Sequence, residues 1–128
     1  MVRVCLIDDD IYVRDAMAIG LSDAGFEVVT APGVAAGLDL IAREGADAIV
    51  TDMHMPGTDG ATLIAEARQR WPDMPIVCIT GSISFGNESM AEAARRFGVD
   101  ALMTKPFRAA ELAATLKRLL EDKQNGGG

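Results

Sequence analysis

The polar side chains best suited to chemistry in this sequence follow short apolar segments, at the points where those segments end. They are Asp8, Asp9, Asp10, Asp52, Thr80 and Lys105. In open α/β sheets, ligands bind beyond the carboxyl ends of the parallel strands. If the apolar segments are such strands, carboxylates, a hydroxyl group and an ammonium group gather at one edge of the sheet.

Carboxylates gathered in this way need a neutralising cation. Asp8, Asp9 and Asp52 placed close together repel one another, and each raises the pKa of the others. Mg²⁺ suits such a site because it prefers oxygen ligands, keeps several waters and needs few groups from the protein. A carboxylate beside Mg²⁺ and a lysine can also attack phosphorus and form an aspartyl phosphate. Lys105 and the metal would then offset charge on the phosphoryl oxygens, and Thr80 could donate a hydrogen bond to one of them.

The elements that must position these side chains alternate along the chain. Short apolar runs, several of them rich in Val and Ile, predict strands at 2–7, 26–31, 47–51, 75–80 and 100–104. Stretches with helical periodicity predict helices at 11–24, 33–44, 60–70, 88–97 and 108–122. The runs at 4–7, 48–50 and 76–79 are continuously apolar, which is typical of central parallel strands covered on both faces. The alternation predicts a doubly wound α/β domain, a parallel sheet with helices on both faces.

Composition fits one soluble globular domain, with 49% hydrophobic and 24% charged residues among 128. The formal net charge of −7 argues against nucleic acid as a partner, because phosphate binding usually needs a basic surface. No apolar run approaches the roughly 18–20 residues of a membrane span, and there is no signal peptide, so we expect a cytoplasmic protein. Cys5 and Cys78 lie inside apolar runs without CxxC spacing, and we expect buried free thiols.

Four motifs, each at the end of a predicted strand, together resemble a known family. They are "LIDDD" after the first strand, "TDMHMPGTDG" after the third, "ITG" at the fourth and "ALMTKPF" at the fifth. In this order they resemble the receiver domain of bacterial two-component response regulators, and the resemblance covers essentially the whole chain. It implies a flavodoxin-like (βα)5 sandwich with strand order 2-1-3-4-5 and a domain over 1–123. The residues "QNGGG" at 124–128 predict a flexible Gly-rich tail.

The resemblance also implies a role for each site residue. Asp52 would accept a phosphoryl group from a histidine kinase or phosphotransfer protein, and the modified domain would change its binding to a downstream partner. Asp8, Asp9, Asp52 and the backbone carbonyl of His54 would hold Mg²⁺. Lys105 would pair with the phosphoryl group, through a cis Lys105–Pro106 bond, and Thr80 would move toward it. Such a domain is a signalling module and not an enzyme, although Mg²⁺-dependent self-phosphorylation and slow self-dephosphorylation are expected.

Two departures from the family concern the output. Many receivers carry Tyr or Phe three residues before the lysine, where this sequence has Leu102. The segment "SISFGNES" at 82–89 also makes the stretch from Thr80 to Lys105 about three residues longer than usual. We hypothesise that the loop at 81–89, including Phe85, carries the signal in place of an aromatic ring.

Other interpretations of the same residues remain open. Asp10 is expected to cap the first helix, and the neighbouring aspartates could do no more than that. The side chain of His54, the one histidine, is expected to be exposed because it has no partner for metal binding or catalysis. A pseudo-receiver that binds partners without phosphorylation is the main alternative function. A Mg²⁺-dependent phosphohydrolase is disfavoured because "DDDIY" lacks the DxDx[TV] motif of those enzymes.

Overall fold

The alternating segments form a single parallel sheet with helices on both of its faces. The structure is a computed structural model and describes residues 1–53, 60–81 and 90–125. Its strands are β1 (Arg3–Ile7), β2 (Glu27–Ala31), β3 (Ala48–Asp52), β4 (Ile76–Thr80) and β5 (Ala101–Thr104). Its helices are α1 (Ile11–Asp23), α2 (Val34–Glu44), α3 (Gly60–Arg70), α4 (Met90–Phe97) and α5 (Ala109–Asn125). The strand order is β2-β1-β3-β4-β5, which confirms the predicted doubly wound fold.

The central strands are buried on both faces, as their continuous apolar runs predicted. All five residues of β3 and of β4 are buried, whereas four of the five residues of edge strand β2 are at least partly exposed. Because successive side chains of a strand alternate between faces, the sheet separates two buried apolar clusters. One cluster packs α1 and α5 against Val4, Leu6, Val50, Val77 and Ile79. The other packs α2, α3 and α4 against Cys5, Ile7, Ile49, Ile76 and Cys78.

The two cysteines belong to the second cluster and are free thiols, as expected. Neither side chain is accessible to solvent. Burial, with a smaller contribution from the negative charge of Glu44, raises the pKa of Cys5 to about 12. Burial also raises the pKa of Cys78 to about 12, and here the smaller contribution comes from Asp52. Both thiols are therefore protonated and inert in the folded protein at neutral pH.

Helix ends follow the signals in the sequence at most positions. Asp10 caps α1, because its side chain accepts hydrogen bonds from the amides of Tyr12 (3.0 Å) and Val13 (3.2 Å). Gly25 and Gly98 adopt positive φ angles of 99° and 79° just after α1 and α4, a conformation that strongly favours glycine.

Helix α5 is longer than its apolar periodicity predicted. It runs to Asn125 and so continues two residues into the segment 124–125 that was predicted as flexible tail. The periodic pattern marks only the buried face of a helix, whereas an exposed last turn of Glu121, Asp122 and Lys123 extends it without apolar residues. Residues 126–128 lie outside the described part of the chain.

Helices α1 and α5 approach each other closely at a glycine. A Cβ atom built on Gly20 of α1 would lie 2.3 Å from the Cβ of Ala109, the first residue of α5. Only a residue without a side chain fits at this crossing. The contact fixes the start of α5, four residues beyond Lys105.

The amino ends of β4 and β5 are joined by an ion pair with several hydrogen bonds. Arg68, near the end of α3, donates to Asp100 Oδ2 at 2.6 Å and to the carbonyl oxygens of Gly98, Pro72 and Met74. Asp100 Oδ2 also accepts from the amide of Ile76 at 2.8 Å. The Arg68–Asp100 pair therefore ties α3, β4 and the turn before β5 together.

Among the described residues, no helix is both long enough and apolar enough to cross a membrane.

Candidate functional site

The loop after β1 holds Asp8 in a fixed orientation. Asp8 is completely buried, and its Oδ1 accepts a hydrogen bond of 2.9 Å from the amide of Asp10. Its backbone carbonyl accepts a bond of 2.8 Å from the Nη1 of Arg14 on α1. The other carboxylate oxygen, Oδ2, is buried without a hydrogen-bond partner. One oxygen of Asp8 is thus used to shape the loop, and the second is left for a ligand.

Arg14 carried no predicted role in the sequence. It lies four residues after the capping Asp10, so its side chain returns toward the loop that precedes the helix. That spacing is the signal that could have identified it.

Asp52 ends β3 next to the ammonium group of Lys105. The Nζ of Lys105 lies 3.5 Å from Asp52 Oδ2, and the side chain of Asp52 is only 9% exposed whereas that of Lys105 is 35% exposed. The Lys105 amide donates to the carbonyl of Thr80 at 2.9 Å, which fixes the turn after β5 against the end of β4. The Lys105–Pro106 peptide bond is cis, as the resemblance implied.

The carboxylates of Asp8, Asp9 and Asp52 meet at this edge of the sheet. One oxygen from each lies within 4.8 Å of the others, and Asp9 is the exposed member of the group. Burial raises the pKa of Asp8 above its ordinary value. The hydrogen bond from Asp10 opposes that increase, the charge of Asp52 adds to it, Lys105 opposes it and Asp9 adds to it. A cation would relieve both the burial of the charge and the repulsion between carboxylates.

These residues fit Mg²⁺. The donors are all carboxylate oxygens, the preferred ligands of a hard cation. Buried Asp8 Oδ2 lacks a hydrogen-bond partner and is therefore available as a ligand, while exposed Asp9 leaves one side open to water. The carbonyl of His54, predicted as a further ligand, lies outside the described residues.

Thr80 ends β4 and is completely buried. Its hydroxyl oxygen has no hydrogen-bond partner, which is uncommon for a buried polar atom and marks it as available for a ligand. By the alternation of side chains along a strand, Thr80 shares the face of Ile76 and Cys78, whereas Asp52 shares the face of Ala48 and Val50.

Leu102 lies on the same side of the sheet as Thr80. It pairs with Cys78 in the β4–β5 register, is 7% exposed, and belongs to the cluster under α2, α3 and α4. The loop residues 82–89, with Phe85, lie outside the described residues, so the hypothesis that this loop carries the signal stays a prediction.

Comparison with known proteins identifies the family of this chain. The family model described as "Response regulator receiver domain" matches residues 4–117. The response regulator protein FleR of Pseudomonas aeruginosa is 33% identical over 116 residues, which are 91% of this chain and 24% of FleR. The response regulator MprA of Mycobacterium sp. strain KMS is 36% identical over 121 residues, which are 93% of this chain and 50% of MprA. The chain thus spans half or less of the length of these relatives.

A solved structure shows the same architecture. The crystal structure of a CheY-like response regulator receiver domain protein from Methanospirillum hungatei JF-1 matches with a TM-score of 0.87 at 26% identity, over 98% of each chain. Fold and site together define a signalling domain of the CheY-like class. The chain belongs to the response regulator receiver domain family, the receiver domains of two-component systems.

Proposed function

We propose that this receiver domain is a phosphoacceptor switch that takes a phosphoryl group on Asp52 from the phosphohistidine of a histidine kinase or phosphotransfer protein. One observation carries the proposal. The Asp52 carboxylate lies both within the group formed with Asp8 and Asp9 and 3.5 Å from Lys105 Nζ. An acid in that position lies beside the ammonium group of Lys105 and within the carboxylate group that would hold a metal ion.

The transfer is a displacement at phosphorus. A carboxylate oxygen of Asp52 forms the new P–O bond while the P–N bond to the donor imidazole breaks, and the electron pair stays on the ring nitrogen, which takes up a proton. Lys105 offsets the charge of the phosphoryl oxygens, because its ammonium group already lies next to the accepting carboxylate. The unpartnered hydroxyl of Thr80 supplies a hydrogen bond to the product.

Asp8, Asp9 and Asp52 would hold Mg²⁺, together with the backbone carbonyl of His54 that the family resemblance adds. The bound ion would supply positive charge at the accepting carboxylate and at the phosphoryl oxygens. Asp8 would contribute a ligand whose direction is fixed by the Asp10 amide and by Arg14 at the Asp8 carbonyl.

The downstream output is carried by the face that Thr80 shares with α4. Drawing Thr80 toward the phosphoryl group changes packing beside Cys78 and Leu102, and the α2–α3–α4 layer packs on the same cluster.

The acidic chain, at a formal charge of −7, is not itself a nucleic-acid binder. Its output partner is a protein or a domain elsewhere in a longer regulator.

The test is labelling with a small phosphodonor. Wild-type protein incubated with acetyl phosphate and Mg²⁺ should gain the mass of one phosphoryl group, and Asp52→Asn should gain none. Asp23→Asn, at an exposed position near the end of α1, is the matched control and should label normally.

Two results would overturn the proposal. Labelling of Asp52→Asn to the wild-type extent would place the acceptor elsewhere. A folded wild-type protein that stays unlabelled by acetyl phosphate and by a phosphorylated histidine donor would favour the pseudo-receiver alternative, a module that binds partners without phosphorylation.

A further inference from the structure

The first residue of α3 lies against the backbone of the phosphoacceptor. The amide of Gly60 donates a hydrogen bond of 2.9 Å to the carbonyl of Met53. A Cβ atom built on Gly60 would lie 2.6 Å from the carbonyl oxygen of Asp52 and 2.9 Å from the Cα of Met53. Real Cβ atoms essentially never come within 3.0 Å of a heavy atom outside their own residue and its chain neighbours, so any side chain at this position has to displace something.

The atoms in the way belong to the backbone, which distinguishes Gly60 from other crowded glycines. At Gly37 on α2, an added Cβ would meet the Cδ1 of Ile7 at 2.5 Å and its Cγ1 at 2.9 Å, and these are side-chain atoms, which can move by a change of rotamer. Gly60 is also not among the described glycines with positive φ, which are Gly25, Gly45 and Gly98. Space, and not backbone conformation, is therefore the reason for glycine at position 60.

The peptide that Gly60 touches is held from two sides. The amide of Met53 donates to the carbonyl of Ile79 at 2.8 Å, which extends the pairing of β3 with β4. On the other side, α3 is anchored to the sheet by the buried side chains of Leu63 and Ile64. The helix is held by these buried side chains, so a methyl group at position 60 would displace the Asp52–Met53 peptide and strain the hydrogen bond from Met53 to Ile79.

We propose that Gly60 is a positioning residue, whose missing side chain allows α3 to fix the Asp52–Met53 peptide and so to aim the Asp52 carboxylate. The inference rests on the proposed function of Asp52. The carboxylate has to stay within 4.8 Å of the oxygens of Asp8 and Asp9 while its Oδ2 lies 3.5 Å from Lys105. A shift of the peptide moves the carboxylate relative to all three groups together.

Gly60→Ala tests this role, with Gly37→Ala as the matched control. Mg²⁺ affinity is measured by titration calorimetry, labelling by acetyl phosphate, and stability by urea unfolding without metal. Gly60→Ala should bind Mg²⁺ about tenfold or more weakly, as is typical when a residue that orients metal ligands is changed, and should label more slowly. Gly37→Ala should lose stability because Ile7 must move, while its Mg²⁺ affinity stays at the wild-type value.

If Gly60 served only to begin α3, the expected effect of Gly60→Ala would be the opposite of the effect expected from a positioning role. Alanine is a better helix former than glycine, so a residue that only began α3 would leave the site unchanged or strengthen the helix on substitution by alanine. Wild-type Mg²⁺ affinity in Gly60→Ala would overturn the positioning role and leave the proposed function of Asp52 intact. Absence of labelling in the wild-type protein would instead overturn the proposed function, while the calorimetry would still decide the role of Gly60.

Amide hydrogen exchange of the wild-type protein decides the question if Gly60→Ala does not fold. The Gly60 amide should be protected to the same extent as the amides of β3, because the helix start and the strand end open together. Rapid exchange of that amide while β3 stays protected would show that the contact does not persist, and would overturn the inference.

Discussion

Aspartate has opposite roles at the two ends of the sheet. At the carboxyl edge, Asp8 Oδ2 and Thr80 Oγ1 are buried without a hydrogen-bond partner. At the amino ends of β4 and β5, Asp100 Oδ2 accepts from both Arg68 and the Ile76 amide. A buried polar atom without a partner lowers stability, whereas a hydrogen-bonded ion pair joins elements of the fold. The carboxyl edge is therefore built to receive a ligand, and the Arg68–Asp100 pair is built to stabilise the fold.

Removal of Arg68 should give the largest change in stability. Arg68→Ala removes four hydrogen bonds and leaves Asp100 without its cation, so the free energy of unfolding should fall by about 2–3 kcal/mol. Urea unfolding measures the loss, and calorimetry should show unchanged Mg²⁺ affinity because the pair lies at the opposite end of the sheet. Arg70→Ala is the control, since the exposed Arg70–Glu66 pair contributes at most about 0.5 kcal/mol. Equal losses of stability in Arg68→Ala and Arg70→Ala would contradict the stabilising role of the Arg68–Asp100 pair.

The substitution of aspartate by asparagine should change stability in opposite directions at the two ends. Asp8→Asn removes a buried charge that lies beside two other carboxylates, so the metal-free protein should become more stable by about 1–2 kcal/mol while Mg²⁺ binding is lost. Asp100→Asn should lower stability by about 1 kcal/mol because Arg68 loses its ionic partner. Unfolding in EDTA measures both values. If the metal-free Asp8→Asn protein were less stable than the metal-free wild type, the claim that Asp8 destabilises the fold in the absence of a ligand would be wrong.

The free energy of unfolding should fall at high pH because of the two buried thiols, Cys5 and Cys78. Their pKa values rise from 9.0 to about 12 on folding, so the unfolded chain releases these protons first. The stabilisation that the two buried thiols give to the folded state is complete below pH 9 and is lost between pH 9 and about 12. At pH 10 the free energy of unfolding should already be lower by about 1 kcal/mol for each thiol. As the pH rises from 9 to 10, the free energy of unfolding of the wild type should fall by about 1 kcal/mol for each thiol relative to that of a Cys5→Ala, Cys78→Ala variant. A difference that is constant with pH would mean that the thiols titrate normally in the fold.

The fold was predictable because its signals are local. Continuous apolar runs at 48–50 and 76–79 identified the buried strands, and the helical periodicity of 11–24 and 88–97 stops just before Gly25 and Gly98. The end of α5 was wrong by three residues, since an exposed last turn has no apolar periodicity to mark it.

The candidate site was only partly predictable. Its members were identifiable because each follows a strand end, and parallel strands bring such ends together. The sequence did not distinguish buried Asp8 from exposed Asp9, because their difference arises from how the loop turns. It also did not reveal the Arg68–Asp100 pair, whose partners are 32 residues apart and follow no pattern. The crowding at Gly60 depends on the distance between α3 and the end of β3, which no spacing in the sequence encodes.

The separation of the core by the sheet has a consequence for how such a domain can diversify. Within the described part of the chain, no buried residue belongs to both the cluster under α1 and α5 and the cluster under α2, α3 and α4. Side chains in one layer can therefore be exchanged as a set without compensating changes in the other layer. During evolution, the layer that includes the Asp52 face of β3 can be conserved while the layer beside Thr80 and Leu102 varies between homologues. Two packing units on one sheet thus allow one chemical reaction to be combined with many different surfaces.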